Sequence, residues 1–71
     1  MDIQRRVGRN VKKLRRAQRL SQEEFSFNCG LHRTYVSDIE RGARNPTVRV
    51  LQKLADALGV EPETLLKKDP D

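Results

Sequence analysis

Residues 20–42, LSQEEFSFNCGLHRTYVSDIERG, constrain this chain more than any other stretch. Ser21 and Glu24 have the spacing of a capping box, in which hydroxyl and carboxylate each satisfy a free backbone amide at a helix start. Phe25 and Cys29 follow one turn apart on the inner face of that helix. Gly30 ends it, because glycine takes the left-handed conformation that a sharp turn needs. The next helix starts at His32 or Arg33 and runs to about residue 40. Leu31, Val36 and Ile39 point inward from it, while Arg33, Thr34, Ser37 and Asp38 point outward. Gly42 stops it. The pattern is two short helices joined by a tight turn, the second with a polar outer face.

The flanks supply the rest of a small core. Ile3, Val7, Val11, Leu14 and Gln18 follow spacings of three and four and predict a helix from Ile3 to Arg19 with a narrow apolar stripe. Leu20 is expected to pack between this helix and the next. After the polar loop Ala43-Arg44-Asn45-Pro46, Thr47 caps a fourth helix. Its apolar face is Val48, Leu51, Leu54, Ala55 and Leu58, and Gly59 ends it. Pro62 suits the first turn of a last helix, Pro62 to Lys67. The tail Lys68–Asp71 is expected to fray. Repeats and strand-period alternation are absent from the sequence. The expectation is an all-α chain of five helices in one domain, residues 1–71, with its core over about 3–67.

Charge is unevenly placed. Residues 1–20 hold eight basic side chains against one acid, Asp2, whereas the other 51 residues hold seven basic and nine acidic groups. The positive field is concentrated on the first helix, which suits a polyanion. No run of about 18 apolar residues exists, so no membrane span is predicted. The N-terminus lacks the apolar stretch of a secretory signal, and the lone Cys29 fits a reducing compartment. A cytoplasmic, nucleoid-associated protein is expected. One His and one Cys cannot build a zinc site, and no glycine-rich phosphate loop or paired acid and base is present. Enzymatic activity, metals, cofactors and a small-molecule ligand are therefore not expected.

A polar-faced helix after a tight turn in a basic chain can enter the DNA major groove, presenting its N-terminal side chains to base edges. In this reading residues 32–41 form the recognition helix. Arg33 can donate two parallel hydrogen bonds to guanine O6 and N7. Thr34 offers a hydroxyl and a methyl, and Tyr35 can pack on a thymine methyl or bond a phosphate. Asp38 can accept from a cytosine amine or pair with a neighbouring arginine. Gln22 opens the second helix, where free amides favour phosphate. Ser37, Arg44, Asn45 and Thr47 complete the expected backbone and loop contacts, with Thr47 also capping the fourth helix. Arg9, Lys12 and Lys13 either touch flanking phosphates or form a solvated face. Arg15 and Glu40 are expected to form a partly buried ion pair between the first and third helices, the alternative being Arg15 on phosphate. Phe27 falls on the solvent side, where it covers an edge of the first helix or meets a partner.

These residues resemble the lambda-repressor-like, Cro/cI-type helix-turn-helix family over about Val7 to Leu66. The carriers are Leu14-Arg15, Leu20–Phe25, Gly30-Leu31, Val36–Gly42, Asn45-Pro46-Thr47 and Ala57–Val60. The resemblance implies a five-helix fold, Gln22 on phosphate, the Arg15–Glu40 pair inside, and a two-fold dimer on a pseudo-palindromic operator. Leu31–Tyr35 followed by Arg44–Thr47 looks most like the controller proteins of restriction-modification systems. In them, base contacts would map to Arg33, Thr34 and Tyr35, with Arg44 nearby. Ser26 stands where alanine is usual in the family and Phe27 where a charged residue is usual.

One recognition helix reads too few base pairs to find a site in a genome, so a homodimer is expected. Val60, Leu65 and Leu66 are the candidate interface, with some of them needed for the core. The leading function is a sequence-specific transcriptional regulator of double-stranded DNA. An antitoxin-type module binding a partner protein as well as DNA is the alternative. A membrane-active basic helix is the third option, disfavoured by the narrow apolar stripe without aromatic residues.

Overall fold

The computed structural model describes residues 2–68. Four α-helices follow in order: α1, Ile3–Ala17; α2, Gln22–Cys29; α3, Arg33–Glu40; and α4, Val48–Leu58. The expected fifth helix is instead a 3-10 turn, Pro62–Leu66. Five residues are short for an α-helix, and the carbonyls that would propagate one are taken by α1. Asn10 Nδ2 donates to Leu65 O at 2.8 Å and to Lys67 O at 2.9 Å. No strand occurs among the described residues. Of the tail expected to fray, Asp69–Asp71 lie outside the described residues.

Side chains start every α-helix. Asp2, Ser21, His32 and Thr47 each accept a hydrogen bond from a first-turn backbone N–H of α1, α2, α3 and α4 respectively. At α2 the bond is reciprocal, with Glu24 N–H donating to Ser21 Oγ at 3.0 Å and Ser21 N–H to Glu24 Oε1 at 2.9 Å. Those hydrogen bonds hold the Glu24 carboxyl below its usual range.

All four helices end alike. A backbone N–H just past the end reaches back to a carbonyl in the last turn: Leu20 to Arg15, Leu31 to Ser26, Ala43 to Asp38 and Val60 to Ala55, at 2.9–3.2 Å. This closure needs a left-handed residue before the donor. Gly30 fills that position after α2 with φ 69°, and Arg19 fills it after α1 with φ 59°. For this reason α1 stops at Ala17, two residues before the predicted end. The donors Leu20, Leu31 and Val60 then pack their side chains on the core.

The core joins Val7 and Val11 of α1, Phe25 and Cys29 of α2, Val36 and Ile39 of α3, Leu54, Ala55 and Leu58 of α4, and Leu65. Two expected stripe residues miss it. Val48 is 84% exposed and Ile3 50% exposed, because each is the first residue of its helix and overhangs the packed part. Ser26 is buried, its hydroxyl donating to Glu23 O at 2.8 Å, so a polar atom in an alanine-like position is satisfied locally.

Gly8 was not singled out by the sequence pattern, yet it sets the approach of α1 to α3. A Cβ there would lie 2.3 Å from Ile39 O and 2.8 Å from Glu40 O. Both obstacles are backbone, so the helices would have to separate. Gly8→Ala is expected to lower stability by about 1–3 kcal/mol, despite the better helix propensity of alanine, as read from urea denaturation. Burial pushes the Cys29 thiol up to about 11. The neutral thiol favours the fold below the ordinary thiol range, and that contribution is lost as pH rises through about 11. At pH 8 a water-soluble thiol reagent should leave native Cys29 unmodified and label it once the chain is unfolded.

Candidate nucleic-acid interface

The turn between α2 and α3 is short because Gly30 reverses the chain and His32 restarts a helix at once. His32 Nδ1 accepts from Thr34 N–H at 3.2 Å. Burial of Val36 and Ile39 fixes the rotation of α3, leaving His32, Arg33 and Thr34 exposed. Arg33 and Thr34 thus stand at the N-terminal end of α3, the end that meets base edges when such a helix enters a groove. Ser37 is half-buried further along.

Tyr35 is half-buried, and the Arg44 guanidinium lies over its ring at 4.5 Å from the centroid. Arg44 also pairs with Asp38, Nη2 to Oδ2 at 3.2 Å, while Arg41 Nη2 holds the other oxygen, Oδ1. Of the two roles expected for Asp38, the structure without DNA shows the pairing with neighbouring arginines. Both of its oxygens are engaged by arginines, which hold its carboxyl below the usual range. Asp38 therefore ties the loop after α3 back to the helix. Arg41 was missed in the sequence, although its spacing of three from Asp38 on one helix face is the signal for such a pair. Asn45 and Thr47 are exposed, and Thr47 Oγ1 accepts from Val50 N–H at 3.1 Å.

Behind this surface is a buried charge network. Arg15 Nε and Nη2 contact Glu40 Oε2 and Oε1 at 2.6 and 3.0 Å, a bidentate pair whose side chains are 9% and 3% exposed. The third arginine nitrogen, Nη1, donates to Leu20 O at 2.6 Å. Gln22 Nε2 donates to Glu40 Oε1 at 3.0 Å. Gln22 is thereby held by its side chain at the start of α2, where its backbone N–H has no intrahelical partner. The network joins α1, the turn after it, α2 and α3.

The candidate dimer residues divide. Leu65 is wholly buried in the core of a single chain, so it is unavailable to a partner. Leu66 is 39% exposed and Val60 half-buried. Phe27 is 85% exposed and does not cover α1; it borders a hollow with Leu20, Glu23, Glu24 and Asn28. Among the described residues no three His, Cys, Asp or Glu side chains are grouped to hold a metal, and no helix is long and apolar enough to cross a membrane.

Residues 11–65 match the family described as helix-turn-helix. Control protein C.BamHI of Bacillus amyloliquefaciens is 48% identical over 60 residues, covering 83% of this chain and 74% of that protein. The crystal structure of the restriction-modification controller protein C.AhdI from Aeromonas hydrophila superposes with a TM-score of 0.84 at 44% identity, over 87% of this chain and 94% of that one. SinR, a master regulator for biofilm formation solved in complex with DNA, superposes with a TM-score of 0.82 at 32% identity, over 86% of this chain and 98% of that one. The chain belongs to the helix-turn-helix family. Its similarity to C.BamHI and C.AhdI is to the restriction-modification controllers in particular, as the residues of α3 and the loop after it suggested. These relatives are regulators, and they lend no support to an antitoxin-type module.

Glu40→Ala would leave Arg15 and Gln22 without their acceptor in a buried site. It is expected to cost about 3–5 kcal/mol, much of the stability of a domain this small, and to lower the thermal midpoint sharply. Equal melting of the variant and the wild type would contradict a structural role for the pair.

Proposed function

We propose that this protein is a sequence-specific regulator of transcription that binds duplex DNA as a dimer, with α3 in the major groove. The observation that carries the reading is the exposed N-terminal end of α3, which presents Arg33 and Thr34 from a helix fixed by the His32 cap and the buried Val36 and Ile39. Arg33 is assigned to guanine, Thr34 and Tyr35 to neighbouring bases, and Gln22 with Asn45 to phosphates. Arg44, stacked on Tyr35, reaches the same groove edge from the loop. The likeness to C.BamHI and C.AhdI supports a controller of a restriction-modification system as the finer role. A regulator of this kind works in the cytoplasm on the nucleoid.

Two-fold pairing through Leu66 and Val60 supplies two recognition helices about 34 Å apart on one face of the duplex. Leu65 contributes indirectly, by seating the 3-10 turn that carries Leu66.

Selection from random duplexes by the purified protein at about 150 mM salt tests this function, and a palindromic motif is the expected product. In the same selection Arg33→Ala should lose preference at one symmetric position, a discrimination of roughly 1–3 kcal/mol, while keeping salt-sensitive binding to any duplex. Unchanged specificity in that variant would remove α3 from the groove.

A further inference from the structure

We infer that the outer face of α1 is a second phosphate-binding surface, taking the DNA backbone outside the base pairs that α3 reads. The inference rests on the proposed function for its partner but not for its geometry. Gly8 and Arg15 face α3, and Val7 and Val11 face the core. Arg9, Lys12, Lys13 and Arg16 lie on the other side of the helix and line an open groove. Their spacings of three and four residues make each a neighbour of two others on the helix surface.

Arg9, Lys12 and Arg16 meet no carboxylate among the described residues, in contrast to Arg15, Arg41 and Arg44. The only acid of α1 and its cap, Asp2, is two turns from Arg9 and caps the helix. The like charges of Arg9, Lys12 and Arg16, packed one turn apart, oppose the helix that carries them, and an external polyanion removes that penalty. From Arg9 to Arg16 the row is about 10 Å long at 1.5 Å per residue. The helix carrying the row meets α3 at its C-terminal end, where Arg15 pairs with Glu40, and not at the end bearing Arg33. It therefore addresses backbone beside the recognition site.

The test is the triple variant Arg9→Ala, Lys12→Ala, Arg16→Ala in the full chain. It should melt at or above the wild-type temperature, because alanine favours helix and the repulsion is gone. It should enrich the same motif as the wild type, but with hydroxyl-radical protection lost beside that motif. On arbitrary duplex DNA its salt dependence should be shallower by about 0.9 per lost phosphate contact. For three contacts the wild type then loses about 40-fold more affinity than the variant between about 50 and 200 mM salt. An unchanged slope would overturn the assignment, as would protection lost only within the motif or a fall in melting temperature. A variant that keeps the slope but loses binding to anionic phospholipid vesicles would place this face on a membrane and overturn it as well. If selection enriches no motif with the wild type, the proposed function fails, while the slope on arbitrary duplex still decides this inference.

Discussion

The bidentate contact of Arg15 with Glu40 is the constraint on which the other parts depend. Two charges are removed from water, and each must be fully satisfied to be tolerated there. Glu40 accepts from Arg15 on both oxygens and from Gln22 on one, and Arg15 spends its remaining nitrogen on Leu20 O. One carboxylate thereby sets the distance of α1 from α3, the path of the chain into α2, and the orientation of the first α2 side chain. Gly8 permits this by letting α1 touch the α3 backbone. Hydrophobic residues alone would allow the helices to slide; a pair that is stable in only one geometry does not.

Around that anchor the surface is organised by local rules. Each α-helix is started by a side chain and stopped by one backward backbone bond, so the connections are short and stiff. The surface proposed for recognition inherits this rigidity. His32 fixes where α3 begins, and Asp38 holds Arg41 and Arg44 so that the following loop leans back over Tyr35. The groups proposed to meet DNA are thus largely placed before it arrives, which would lower the ordering cost of binding.

Much of this was legible in the sequence, and the parts that were not share a cause. Caps and stops are local chemistry, so the Ser21–Glu24 box, Gly30, Thr47 and Gly59 could be read from residue type and spacing. The stripe of α4 was right except for Val48, because periodicity gives the direction of a side chain but not whether a neighbour is there to cover it. The close approach at Gly8, the 3-10 turn held by Asn10 and the stack of Arg44 on Tyr35 join residues distant in sequence or in different elements. Asp38 shows the same limit: pairing with a neighbouring arginine was legible, but not that the loop after α3 returns Arg44 to it as a second partner. The arginine in the left-handed position at residue 19 defied the glycine rule that found the other helix ends.

The grip of α1 on the 3-10 turn bears on how the chain is born. Asn10 and Arg6 bond carbonyls of Leu65, Leu66 and Lys67, across separations of 55–60 residues, and Leu65 plugs the core between them. α1 is thus completed by an element synthesised 55–60 residues later. While the ribosome is still adding residues after α4, the helices can form but the core stays open and Asn10 stays unbonded. Folding of this domain must wait for residues 65–67 to leave the exit tunnel, so α1 to α4 cannot close the core by themselves during synthesis.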